Sequence, residues 1–192
     1  HLDNKFTVVI SDNNSDNFNK IREVIVNYKN LIILKHSENL GIATAQNDAI
    51  RSLFSKEKGI SYICFLDQDS ILDNTDLIEL FYCLKGLENE KVAVIGPNYQ
   101  GSRARNLGMI SERELISSGS LISKKAFMEV GLFLEQLFID FVDYEWCWRA
   151  RKKGFKVYMD SSIYLKHQVG INDKNKRFNK IIITPKRLYF VY

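Results

Sequence analysis

Apolar runs of four or five residues alternate with stretches of helical periodicity along most of this chain, and that rhythm leaves few architectures open. Phe6-Thr7-Val8-Val9-Ile10 is short and β-rich, and the turn-forming string Ser11-Asp12-Asn13-Asn14-Ser15 ends it. Ile21, Val24, Ile25 and Tyr28 then recur at helical spacing behind a Ser15 cap. Leu31 to Leu34 reads as a second strand, and Ile42, Ala45, Ala49, Leu53 and Phe54 as one face of a helix closed by Gly59. Tyr62 to Leu66 is a third, wholly apolar strand, followed by Asp67-Gln68-Asp69-Ser70. A helix carrying Leu77, Leu80, Phe81, Leu84 and Leu87 leads to the strand Val92–Ile95, which Gly96-Pro97 is expected to stop.

Strands separated by helices mean βαβ units, a mainly parallel sheet and helices on both faces. The later chain is less regular. Gln100 to Ser111 is polar and Arg-bearing and reads as a loop or lid, and Leu115 to Ile122 as a strand interrupted by Ser117-Ser118-Gly119. Asp143 to Lys153 is helical with Gly154 as its stop, and Phe155 to Tyr158 is a further strand. No repeat or linker divides the sequence, so a single α/β domain over residues 1–192 is expected.

Composition narrows the chemistry. At 45% apolar and 26% charged the chain is ordinary globular material. A net charge of +4 suits an anionic small molecule or loose contact with an anionic membrane, and is no nucleic-acid footprint. Cys64, Cys83 and Cys147 lie far apart, which argues against a disulfide framework or thiolate zinc site and for a reducing compartment. No apolar run reaches the roughly 18 residues of a membrane span.

Ligands of open α/β sheets bind beyond the carboxyl ends of the strands. Two such ends carry Asp12-Asn13-Asn14-Ser15 and Asp67-Gln68-Asp69. Two carboxylates two residues apart after a buried strand offer hard oxygen ligands to Mg²⁺ or Mn²⁺, and through it to a diphosphate. A turn with a helix cap explains the same string equally well. Neither G-x-x-x-x-G-K-[ST] nor G-x-G-x-x-G is present, so a phosphate binder built on this chain needs a metal or basic side chains. Asp143, with Glu145, opens an aromatic-rich helix; it reads either as a helix-dipole partner or as a general base. His167 is a structural residue or a third metal ligand. Arg149, Arg151, Lys152 and Lys153 read as a solvated helix end that complements the dipole.

In order, the strings Asp12-Asn13-Asn14-Ser15, Glu38-Asn39-Leu40-Gly41-Ile42-Ala43-Thr44-Ala45-Gln46-Asn47, Phe65-Leu66-Asp67-Gln68-Asp69-Ser70, Ser117-Ser118-Gly119, Asp143-Tyr144-Glu145-Trp146-Cys147-Trp148-Arg149 and His167-Gln168-Val169-Gly170 span nearly the whole chain. Together they resemble the inverting GT-A glycosyltransferases of family 2, most closely their bacterial rhamnosyltransferase branch. The resemblance implies a nucleotide-sugar donor, with Asp12 on the base, Asn39, Gly41 and Asn47 shaping the nucleotide pocket, and Ser118 and Gly119 lining the sugar subsite. Asp67 would lie near the ribose, Asp69 would bind Mn²⁺ or Mg²⁺ on the diphosphate, and His167 would join the metal. Asp143 falls at the family's catalytic base.

Two departures stand out. The acidic residue that usually precedes the base is Val142 here, so Glu145 is expected to share the role. The family's first strand should precede Phe6, and Pro185-Lys186-Arg187-Leu188-Tyr189-Phe190 resembles a segment that runs on toward a membrane-associated tail. The domain is therefore expected to be trimmed at both ends, with peripheral membrane association through the missing C-terminal part. The acceptor implied is a saccharide or lipid-linked glycan of surface polysaccharide biosynthesis, at the cytoplasmic, inner face of a bacterial plasma membrane. A sugar-phosphate nucleotidyltransferase and a non-catalytic nucleotide-sugar-binding module are the rival readings.

Overall fold

A computed structural model of the chain describes residues 6–25, 30–57, 59–87, 89–99, 108–167, 171–173 and 182–184. Strand β1 (Val8–Asp12) runs parallel to β2 (Leu31–Lys35), Asp12 opposite Lys35, with α1 (Phe18–Ile25) between them. Helix α2 (Ile42–Lys56) leads to β3 (Tyr62–Cys64), a short β4 (Ser70–Ile71), α3 (Asn74–Gly86) and β5 (Val92–Asn98). Then come β6 (Met109–Ser111), β7 (Leu121–Ser123), α4 (Lys124–Val130), a 3-10 turn at Glu135–Leu137, α5 (Val142–Lys152), β8 (Lys156–Tyr164) and β9 (Lys166–His167). A last hairpin pairs β10 (Ile171–Asp173) with β11 (Ile182–Thr184).

The larger sheet has the order β3-β7-β5-β8-β6. It is mixed, which adjusts the expectation of a mainly parallel sheet. Strands β5 and β8 are joined through α4 and α5 and run parallel, as helical crossovers require. Strands β6 and β7 both run antiparallel to their neighbours. Strands β1 and β2 form a separate parallel pair.

Helices cover both faces, as the α/β reading requires. On one side α3 lays Leu80 and Leu84 on Val92, Ile95, Leu121 and Ile163. On the other, residues of α2, α4 and α5, among them Ile50, Phe127, Trp146 and Ala150, close over Ile63, Val94 and Val157. Phe65, Phe127, Phe133 and Trp146 meet edge-on or tilted at centroid separations of 5.1–6.1 Å, the geometry aromatic quadrupoles favour. The Trp146 indole donates to Gly131 O at 2.8 Å, so its polar atom is satisfied inside that core.

Several local expectations shift. Strand β5 runs through Gly96 and Pro97 to Asn98. On the β7 side the ladder covers only Val94 and Ile95, so the missing proline N–H breaks no bond there. Gly96 serves packing: a Cβ on it would lie 2.5 Å from Ser120 Oγ. Of the polar segment 100–111, residues 100–107 lie outside those described, and its end is strand β6. Within 115–122 only Leu121 and Ile122 join the sheet as β7. Helix α4 had no counterpart in the sequence reading; Ser123 caps it by accepting from Ala126 N at 3.1 Å.

Candidate active site

The site is built where the turn after β3 meets the segment before β7. Gly119 N donates to Phe65 O at 2.7 Å and Phe65 N to Ser120 O at 3.2 Å, knitting the two chains together. Ser118 is buried; its hydroxyl accepts from Asp67 N at 3.0 Å and donates to Ser70 Oγ at 2.8 Å. Ser118 therefore shapes the turn that carries Asp67 and Asp69. Gly119 has φ 76°, and a Cβ there would press on Pro97 and Leu165, so glycine is set by packing as well as by conformation. Asp67 is half-buried and Asp69 exposed.

Strand β4 continues that turn and pairs with β9, placing Ser70 directly opposite His167. The backbone thus brings His167 beside the residue next to Asp69. The residues after it, 168–170, lie outside those described. Among the described residues no three His, Cys, Asp or Glu side chains form a ready-made cage. A divalent ion shared with a diphosphate needs only one or two carboxylates from the protein, and Asp69 with the β4–β9 ladder fits that donor set.

Asp143 sits in the first turn of α5 with its carboxylate turned to the sheet. Oδ2 accepts from Ser117 N at 3.0 Å and Oδ1 from Tyr144 N at 2.9 Å. Burial pushes this carboxyl above its ordinary range against the two amide bonds, and the charge of Asp67 pushes it the same way. Adjacent residues tie the two elements together: Ser117 N binds Asp143 while the Ser118 hydroxyl holds Asp67 N, so the acidic turn and the α5 carboxylate are anchored on one segment. A half-buried carboxylate with a raised pKa, fixed by two amides, is equipped to take a proton.

The segment Glu112–Ser117 runs along α5 like a rail. Arg151 donates to Glu112 O at 2.9 Å, the Trp148 indole to Glu114 Oε2 at 2.6 Å, and Ser117 N closes on Asp143. Arg149 is likewise no solvated residue: it donates to Val130 O at 3.0 Å and Leu132 O at 2.8 Å. Lys153 reaches Glu129 O. The basic end of α5 thus staples neighbouring turns. Glu145, two residues after Asp143 and so on another face of the helix, gives Oε1 to Arg149 at 2.5 Å. Its Oε2 is sealed from solvent with no partner among the described residues. That geometry takes Glu145 away from the shared role expected of it and into holding α5.

The other wall is the β1–α2 side. Asp12 is buried at the end of β1, its Oδ2 accepting from Ser15 N at 3.2 Å in an Asx-type turn. Asn13 donates to Asn39 Oδ1 at 2.7 Å and accepts from Leu40 N at 2.8 Å, and Gly41 N also donates to Asn39 Oδ1. Asn39 is thus the knot of this loop. Gly41 has φ 82°, and what approaches its missing side chain is Phe138: a Cβ would meet that ring and its carbonyl at 2.6 Å. Phe138 O in turn accepts from Ile42 N at 2.6 Å at the head of α2.

Asn47 was expected to shape the nucleotide pocket; the structure shows it buried in the protein interior. Its amide donates to Phe133 O and Glu135 Oε1, both at 2.9 Å, and accepts from Phe133 N at 3.0 Å. Those three bonds satisfy the group and pin the 133–135 stretch to α2. Sequence reasoning missed Phe138, Phe141 and Gln46. Gln46 Nε2 donates to Ser117 Oγ at 3.2 Å, linking α2 to the residue that holds Asp143. Phe138 and Phe141 both have positive φ, a conformation that costs a bulky L-residue about 1–2 kcal/mol.

With this geometry in view, comparison with known proteins becomes decisive. Residues 2–136 match the family model Glycosyl transferase family 2. The chain belongs to that family. It is 33% identical to the dTDP-rhamnosyl transferase RfbF of Shigella flexneri over 95% of this chain and 67% of that protein. Among solved structures it resembles TarS of S. aureus, residues 1–349, with TM-score 0.60 at 17% identity, covering 85% of this chain and 51% of that one. It also resembles GalNAc-T7 solved with UDP, GalNAc and Mn²⁺, with TM-score 0.61 at 12% identity, covering 84% and 37%. The fold is therefore GT-A, and the chain spans about half or less of these solved structures. Among the described residues no helix is long and apolar enough to cross a membrane.

Proposed function

We propose that this chain is the transfer domain of an inverting glycosyltransferase that moves a sugar from a nucleotide-diphosphate donor to a saccharide or lipid-linked acceptor. The donor is dTDP-rhamnose and the setting surface polysaccharide biosynthesis at the cytoplasmic face of a bacterial membrane. Similarity to a dTDP-rhamnosyl transferase supports the donor, and resemblance to TarS solved with UDP supports a nucleotide diphosphate. The observation that carries the reading is the anchoring of Asp143 and of the Asp67 turn on adjacent residues, Ser117 and Ser118.

Asp143 is the base. Ser117 N and Tyr144 N hold its oxygens in place, and burial keeps the carboxylate more basic than an exposed aspartate. It removes the proton of the acceptor hydroxyl as that oxygen attacks the anomeric carbon from the face opposite the leaving group, and the configuration inverts. Asp12, Asn39 and Gly41 border the nucleotide, Ser118 and Gly119 shape the sugar subsite, and Asn47 acts from beneath by fixing 133–135. Asp69 and His167 would hold Mn²⁺ or Mg²⁺, which when bound supplies positive charge for the departing diphosphate.

The test is transfer by the full-length protein from dTDP-rhamnose, following dTDP release and the anomeric configuration of the product by NMR, with and without Mn²⁺. Release of dTDP with inverted configuration is expected. A retained configuration, or no binding of any nucleotide sugar, overturns the reading.

A further inference from the structure

We propose that Phe141, walled by Trp148 and Tyr144, is a stacking platform for the terminal pyranose of the acceptor. The inference rests on the transfer reading above and names the residues that would seat its second substrate.

Positions 141, 144 and 148 share one face of α5, the face opposite the buried Val142, Trp146, Cys147 and Ala150. Phe141 is 60% exposed and Trp148 37%. The Phe141 ring stands 6.2 Å from Tyr144 and 6.4 Å from Trp148, at 76° and 43°. Arg113 covers a face of the Trp148 ring at 5.4 Å, and Glu114 takes the indole N–H. The ring left open is therefore Phe141.

What singles out Phe141 among the exposed rings is the ring of aromatic and polar neighbours around it, and those neighbours select its occupant. A pyranose has one face of C–H bonds, weakly positive, and a rim of hydroxyls. The face suits the negative face of an aromatic quadrupole; the rim needs hydrogen-bonding groups at the edge of the patch. Those are present as the Tyr99 and Tyr144 hydroxyls, 3.4 Å apart, and the Glu114 carboxylate. A lipid tail or an apolar protein segment would leave them facing hydrocarbon. Phe141 also holds a left-handed backbone, φ 62° and ψ 8°, at the cap of α5. Strain of this kind gathers at binding sites, where the surrounding structure sustains it. It displays the ring at the cap of the helix whose first turn carries Asp143.

This chain holds two tryptophans. Trp146 is 1% exposed, so in the full-length protein the iodide-quenchable fluorescence that Trp148→Phe removes reports Trp148. Methyl α-L-rhamnopyranoside, methyl β-D-glucopyranoside and methyl N-acetyl-β-D-glucosaminide are the probes. At least one should protect Trp148 from iodide saturably. Phe141→Ala should weaken that protection tenfold or more, Phe141→Tyr should keep it, and Tyr82→Ala on α3 should not change it. Because the ring is mostly exposed, Phe141→Ala should leave Tm within a few degrees and leave stabilisation by dTDP-rhamnose intact. Protection by none of the glycosides, or equal protection in Phe141→Ala, overturns the platform. If glycosides protect Trp148 but neither dTDP nor dTDP-rhamnose stabilises the protein, the donor reading fails and the platform stands.

Discussion

The two walls of the cleft are built on different principles. The α5 wall is dry. Trp146, Phe127 and Phe133 pack behind it, and the Glu112–Ser117 rail fixes Asp143 at its end. The wall made by β1 and the loop ahead of α2 is wet: a two-stranded sheet separate from the main one, closed by partly exposed bonds among Asn13, Asn39, Leu40 and Gly41, whereas α2 itself belongs to the core. Removing a group from the first should disturb either chemistry or the core. Removing one from the second should move local loops.

The largest effect should come from the dry wall. Asp143→Asn should cut turnover by about 10²–10⁴-fold with donor affinity nearly unchanged, measured by product formation and by calorimetry. The same variant sharpens the point through pH. Since Asp143 is raised in the folded protein, the native state prefers its neutral form. Stability is therefore greatest below the ordinary carboxylate range and falls as pH rises through the folded pKa. Asparagine offers one acceptor to the two amides that Asp143 holds, which offsets the gain from losing a buried charge; what it should remove is the fall of Tm between acid and neutral pH, and wild-type turnover should fall as acid protonates the base.

Asn47→Ala comes next. It strands the amide and carbonyl of Phe133 without their partner, and each unsatisfied buried group costs about 1–3 kcal/mol, to be read from urea unfolding. Gly41→Ala meets Phe138 and a left-handed backbone together; a loss of about 1–2 kcal/mol from conformation alone, with weakened nucleotide binding, is expected. The smallest change belongs to the wet wall. Asn39→Ala removes exposed bonds worth about 0.5–1.5 kcal/mol each and should alter nucleotide affinity more than Tm. If Asn39→Ala unfolded the protein while Asn47→Ala did not, the contrast between the walls would be wrong.

The strand–helix alternation and the order of the motifs could be read from periodicity, because each element writes its own pattern in consecutive residues. Helix α4 escaped because seven residues carry barely two turns of pattern. Segment 115–122 looked like a strand because its apolar residues serve α5 as well as the sheet. At the site, Asp67 and Asp143 could be listed but not joined, since only the fold anchors them on the adjacent residues Ser118 and Ser117. Glu145 and Arg149 were open to an i,i+4 pairing, yet that Arg149 also stitches two backbone carbonyls could not be seen from spacing. The roles of Asn47 and Gly41 depended on Phe133 and Phe138, which no local pattern connects to them.

Helix α2 begins with its first amide, Ile42 N, already given to the Phe138 carbonyl. Part of the positive charge that a helix N-terminus lends to phosphate in glycine-cradled nucleotide sites is here taken up inside the protein. On the proposed reading, a donor pyrophosphate would draw its counter-charge from side chains or a cation, so its affinity would follow the cations of the medium more than the helix.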